Sequence, residues 1–282
     1  MKGIDLSRLP PPSVVVPLDF ETELARLKLL VLQELPALAD VINLESEPVV
    51  KVLQIMAYEH VHMQARVNDA AKACMLAYAQ DTNLDHLAAL LDVQRLDGEL
   101  DDRLRRRAQM ALEGETVAGS VGSYVFHALS SSNLVKDASV DSPAPGTVRV
   151  TVLSALSNGA ATSELLAEVQ SYLSADERRP LSDTVNVEPA EIVSYQVRAT
   201  LKVYPGPAST PLLTAAQDAL QTYITEHQQL GHDITLSGLY ACLHQPGVQN
   251  VLLSEPVADV VIAANQAPFC TSVHIDLGGA DV

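Results

Sequence analysis

Three groups of side chains have types that could carry chemistry, and each belongs to a helix-period segment. Glu59, His60 and His62 are donors of the kind that hold zinc. Their spacing argues otherwise, because residues two apart on a helix do not share a face and no HExxH pattern is present. His60 is better read as a buried or partner-facing histidine. His227, His232 and Asp233, with His244 beyond, gather around Gly231, and such groups could form the acid–base cluster of a small hydrolase acting in cell entry. No nucleophile motif accompanies them. The simpler reading makes Gly231 a helix C-cap and Asp233 the cap of the next helix.

Arg103, Arg105, Arg106 and Arg107 form the third group, preceded at helical spacings by Asp97, Glu99, Asp101 and Asp102. Acids early and bases late are what a solvated helix prefers, which leaves the arginines for charged contacts with a protein partner. Gly114, Gly119 and Gly122 match neither a phosphate loop nor a dinucleotide fingerprint, and paired carboxylates, GxSxG and CxxC do not occur. The expectation is therefore a protein that is not an enzyme and uses no cofactor, metal or small-molecule substrate. The hydrolase alternative rests on His227, His232 and Asp233 alone.

Charge supports an interaction role. The 282 residues carry 35 acids against 18 Lys and Arg, and residues 113–282 hold 18 of the acids with only 6 of the bases. Such a field opposes nucleic acid and anionic membrane and suits a basic protein partner. Apolar runs fall short of the ~20 residues that span a bilayer, and no signal-peptide core follows Lys2, so the chain is expected to remain in the compartment that makes it. Cys74, Cys242 and Cys270 are far apart and odd in number, which fits buried thiols in a reducing compartment. There is no Trp and only 4% aromatic residues, so Ala, Leu and Val must build the core.

The element around which the second half is organised is Thr184 to Pro205. Val193, Tyr195, Val197, Ala199, Leu201 and Val203 alternate with polar residues, the period of a strand with one dry face. Pro189 should mark a bend between a short first strand and a long second one. Helix-period segments at Ser163 to Leu173 and Leu212 to His227 are expected to cover that face. A hairpin-like pair at Val135 to Val140 and Val148 to Leu153, a short helix at Ser237 to Leu243, and late strands at Val248 to Leu253, Val257 to Ile262 and Thr271 to Ile275 complete the pattern. This predicts an α+β domain with a mixed sheet over residues 115–282, divisible near 180–205.

The first half is helical. Residues 1–18, with Pro10, Pro11, Pro12 and Pro17, read as an extended arm lying on something else. A helical bundle region follows over 19–114, and its longest helix starts at Ser46-Glu47-Pro48 with no Gly or Pro before Gly98. Val49, Met56, Met63, Ala70 and Ala77 recur seven apart, as do Leu53, His60, Val67 and Cys74. The two rows make a heptad-like seam. A helix over 48–80 would be roughly 50 Å long against a small domain's ~30 Å, so the seam is expected to face partner helices, the alternative being that other helices of the same chain cover it.

Several stretches resemble the baseplate J-like proteins of contractile-tailed phages and phage-derived tailocins such as R-type pyocins. They are Asp81-Thr-Asn-Leu-Asp-His-Leu-Ala with Leu104-Arg-Arg-Arg, Val117-Ala-Gly-Ser-Val-Gly-Ser-Tyr-Val-Phe-His-Ala-Leu-Ser, Val135-Lys-Asp-Ala-Ser-Val-Asp-Ser-Pro-Ala-Pro-Gly, Arg179-Pro-Leu-Ser-Asp-Thr-Val-Asn-Val, Tyr204-Pro-Gly-Pro and Gly231-His-Asp-Ile-Thr-Leu-Ser-Gly-Leu-Tyr-Ala-Cys-Leu. The resemblance implies a structural wedge subunit that joins other wedge proteins in a helical bundle and forms a ring around the hub. It also implies contacts with further copies of itself, the sheath initiator and hub-proximal proteins. Assembly would take place in the bacterial host cytoplasm, and the final location would be the tail baseplate.

Overall fold

The computed structural model describes residues 4–116, 119–205 and 209–280. Of the stretches quoted above, Val117, Ala118, Gly206 and Pro207 lie outside these residues, as do the first three of the arm. The chain divides into two units, one of Met1–Arg95 with Leu100–Gln109 and one of Leu96–Glu99 with Met110–Val282. The element content is α+β, with helices first and mixed sheets after.

In the helical unit, helix α1 (Phe20–Glu34) starts where the Asp19 carboxylate accepts the backbone N–H of Glu21 at 2.9 Å and of Thr22 at 3.2 Å. Helix α2 (Pro48–Ala73) begins with Pro48 at its first turn. Leu24 and Ile42 pack with Leu53 and Ala57 of α2, and Phe20, Leu27, Val31 and Val49 flank them, so α1 dries one side of α2. The arm lies on the helices of its own unit. Asn68 of α2 accepts the Val16 N–H at 3.1 Å and returns its own N–H to the Val16 carbonyl at 2.8 Å, the exchange that a neighbouring strand would make. Tyr78 donates to the Leu9 carbonyl and Gln109 to that of Ile4.

Helix α2 is shorter than expected. It has 26 residues, about 39 Å at 1.5 Å each, and the backbone leaves the helix at Cys74, so Cys74 and Ala77 lie beyond its end. The ending is compensated from a distance. Arg105 donates from Nε to the Leu76 carbonyl at 2.8 Å and from Nη2 to that of Ala79 at 2.7 Å, pairing carbonyls that a longer helix would have bonded internally. Helices α3 (Asp81–Ala89) and α4 (Asp101–Gly114) follow.

The expectation of a solvated arginine helix is corrected here. Arg107 is buried and directs both Nη1 and Nη2 at the Gln94 carbonyl, at 3.1 and 3.2 Å, while Arg105, Arg103 and Arg106 are half-buried. Replacing Arg107 with alanine should destabilise the helical unit by about 2–3 kcal/mol, because the Gln94 carbonyl loses its charged donor and a void opens where the buried side chain stood. The urea midpoint of that unit's transition measures this.

The second unit holds two three-stranded sheets. Helix α5 (Val121–Ser131), capped where Ser120 accepts the Ser123 N–H, leads into the antiparallel hairpin β1 (Val135–Ala144) and β2 (Thr147–Ser154). Helix α6 (Ser163–Leu173) then returns the chain to β3 (Thr184–Pro189), which pairs parallel to β2. Tyr124 and Leu129 of α5, Leu165, Val169 and Leu173 of α6, and Val150 and Val152 of β2 form this sheet's core.

Past Pro189 the chain changes sheets. Ala190 donates its N–H to the Val152 carbonyl in the first sheet and Glu191 to the Asn265 carbonyl beside the second, where β4 (Glu191–Val203) begins. Helices α7 (Ser209–His227) and α8 (Leu236–Leu243) precede β5 (Val248–Glu255) and β6 (Gln266–Ala280), and the sheet order is β5-β4-β6 with β5 antiparallel and β6 parallel to β4. Tyr195, Val197, Ala199 and Leu201 are buried beneath Ala216, Leu220, Leu239 and Leu243. The two flanking helices therefore do not share one strand: α6 covers the first sheet and α7 the second.

Two further expectations are corrected. Val257 to Ile262 form no strand but a single bridge between Val260 and Ile234, and Val257 and Val261 are exposed. Asp233 accepts the Ile262 N–H at 2.7 Å, a donor that a strand ladder would need, and Asp259 turns its own carboxylate to the Leu236 N–H at the start of α8, at 2.7 Å. Pro268 lies inside β6, opposite Val193, where an edge strand tolerates a missing donor. Cys74 is exposed rather than buried, whereas burial pushes the thiol of half-buried Cys242 up to about 11.

Candidate interaction surface

The groups singled out for chemistry are already occupied. His60 Nδ1 lies 3.3 Å from Oε1 of buried Glu23, whose carboxylate also accepts two hydrogen bonds from Arg26, at 2.5 and 2.9 Å. The Arg26 hydrogen bond holds that carboxyl below its ordinary range against the opposing effect of burial. His62 instead meets the Tyr58 ring edge at 4.3 Å. Among the described residues no three His, Cys, Asp or Glu side chains are placed to hold a metal ion.

His227 stacks on Tyr223 at 4.0 Å, with Nδ1 2.9 Å from the Tyr223 carbonyl, and the ring of His232 lies 6.2 Å away. Asp233 spends its carboxylate on Ile262 rather than capping a helix, and Thr235 caps α8. His227 and Asp233 thus spend their hydrogen bonds on local backbone groups.

His127 on α5 has a different environment. Its Nδ1 has no partner among the described residues, and burial together with the Arg178 cation lowers its pKa, partly offset by a hydrogen bond to the Gly114 carbonyl. A histidine held neutral in the fold takes up a proton on unfolding. Its contribution is complete above its ordinary value of about 6.5 and is lost as pH falls from there through the depressed folded value, at most about 1.4 kcal/mol per pH unit. Between pH 7.5 and 5, the wild-type chain should lose more stability in thermal melts than His127→Gln does.

The seam divides into two sides on the folded helix. Leu53 is buried against α1, Val49 is half-buried beside it, and His60 reaches Glu23. Met56, Met63 and Val67 are 51%, 65% and 52% exposed, and Ala70 continues their line. Val52 and Ile55, which the heptad rows omit, are equally open and extend the stripe at helical spacing. Beside Met63 a hollow of about 320 Å³ is lined by Tyr58, Glu59, His62 and Arg66. What this side of α2 presents is an exposed apolar helix face.

Comparison with known proteins agrees. Residues 45–98 match the baseplate J-like N-terminal domain, 116–189 the baseplate J-like central domain and 195–276 the baseplate J-like protein C-terminal domain. Over all of both chains the sequence is 44% identical to baseplate protein J of Escherichia phage P2. The chain belongs to the baseplate J-like family and is a structural protein of the phage baseplate. A chain in the six-fold symmetrised cryo-electron microscopy structure of the anti-feeding prophage (AFP) baseplate is similar over 63% of this chain and 42% of its own length. That likeness has a TM-score of 0.43 at 13% identity, too low to bear on the fold. No helix among the described residues is long and apolar enough to cross a membrane.

Proposed function

We propose that this baseplate protein is a wedge subunit, joined to a neighbouring wedge protein by a helical bundle and to further copies of itself by its sheet-bearing unit. One observation carries the bundle: α2 has buried one side against α1 and leaves Val52, Ile55, Met56, Met63 and Val67 open along another. A stripe of that length is covered in water only by other apolar surface, and helices supply it at matching periodicity. Arg105 and Arg107 already serve carbonyls of their own chain, so charged contacts fall to the acidic surface and to basic partners. The sheath initiator and hub-proximal proteins complete the proposed neighbours of a ring around the hub, assembled in the host cytoplasm. Contraction would rearrange the charged contacts while the bundle persists. The experiment is co-purification with the adjacent wedge protein of chains carrying Met56→Asp and Met63→Asp, which should fold and remain alone. Recovery of the complex at wild-type yield would remove the bundle from the proposal.

A further inference from the structure

Strand β6 is outermost in its sheet and, among the described residues, pairs on one side only, with β4. Its register with β4 is interrupted after Cys270 and after Leu277, and between these points runs unbroken from Ser272 opposite Gln196 to Leu277 opposite Leu201. That regular stretch is the part of the edge able to accept another strand. Val273, Ile275 and Leu277 share the core face with Val197, Ala199 and Leu201, while His274 and Asp276 share the outer face with Arg198 and Thr200. Val273 and Leu277 remain 40% and 39% exposed although their face is the apolar one.

The stretch is its own complement. If two copies pair antiparallel about a two-fold axis normal to the sheet, both apolar faces stay on one side, and a residue must then face itself. Centring on His274 opposes two imidazoles, and centring on Asp276 opposes two carboxylates. Centring on Ile275 sets His274 opposite Asp276 twice, Val273 opposite Leu277 twice, and Ser272 opposite Gly278. The imidazole donates to the facing carboxylate, and Arg198 beside His274 adds to the basic end. The side chains of His274 and Asp276 are 68% and 62% exposed and 3.7 Å apart within one chain, so the facing pairs would exchange this contact for its equivalent across the axis. Next to Val273 a hollow of about 350 Å³ lies between β6 and Ile224 and Thr225 of α7, with Gln228 just past that helix, and the facing Leu277 would sit at its mouth.

We infer that two copies of this chain join edge to edge through β6, self-paired at Ile275, to make one continuous six-stranded sheet. This rests on the reading above that copies of the chain meet through the sheet-bearing unit. Sedimentation of the full chain tests it, using His274→Asp, which opposes acids at both pairs, and Asp276→Lys, which opposes bases. The wild type should dimerise. Each variant should raise the dimer dissociation constant at least about tenfold, and an equimolar mixture should recover wild-type affinity to within about threefold, because acid then faces base at every pair. Both positions are exposed, so folding should be unchanged by circular dichroism. A wild-type chain monomeric at ~100 μM, a variant that dimerises like the wild type, or a mixture without recovery would each overturn the inference. The chain with Met56→Asp and Met63→Asp should still dimerise, so loss of its wedge partner is read separately from loss of the β6 contact.

Discussion

The chain carrying Met56→Asp and Met63→Asp is expected to lose the proposed wedge partner by at least about a thousandfold in affinity while keeping its own fold. In the isolated chain the two methionines are 51% and 65% exposed, so a carboxylate at either position remains largely hydrated and costs little beyond helix propensity. In a bundle the same carboxylates would be enclosed by apolar side chains, and an unpaired buried charge costs several kcal/mol after relaxation. Two such penalties exceed the roughly 4 kcal/mol that a thousandfold represents. Leu53→Asp supplies the contrast. Leu53 is 4% exposed within the cluster of Leu24, Ile42 and Ala57, so the change should unfold the helical unit and lose the partner only as a consequence. Helical circular dichroism beside the co-purification yield separates the outcomes, and binding retained by the double-aspartate chain would show that the partner docks elsewhere.

The apolar character of α2 was legible in the amino-acid sequence, but the side left open was not. Rows seven residues apart drift by ~20° per heptad around a straight helix, so the row through Leu53 and the row through Met56 look equivalent until α1 covers one of them. The helix looked longer than it is because neither Gly nor Pro stops it. What accompanies the stop at Cys74 is a guanidinium 29 residues beyond Leu76, a distance that no local pattern encodes. Pro189 marked a bend, yet the change of sheet depends on which strands lie beside β3 and β4, and pairing partners are long-range information. Val257 to Ile262 had strand-like residues, but the Asp233 carboxylate takes the Ile262 N–H and Asp259 is drawn to the start of α8. Of the candidate chemical residues, the histidine groups could be doubted from spacing alone. Their actual partners, Glu23, Tyr58 and Tyr223, required the fold.

Where the alternation is strict and one face is dry, parity alone predicts energetics, and β4 offers the sharpest case. Leu201→Ala should destabilise the second unit by about 3 kcal/mol, because the side chain is fully buried under α7 and α8 at the central strand and its removal leaves a cavity that rigid neighbours cannot close. For a unit of this size the shift is about 6–12 °C in the melting temperature. Gln196→Ala, five residues earlier on the same strand but on the exposed outer face, should change stability by less than ~0.5 kcal/mol. The pair is informative because a register slip of one residue would exchange their faces and reverse the order of the two effects. A central strand buried on both faces would instead make both changes severe. Equal losses in paired thermal melts would therefore refute the one-sided packing on which the β6 edge, with its apolar and charged faces, also depends.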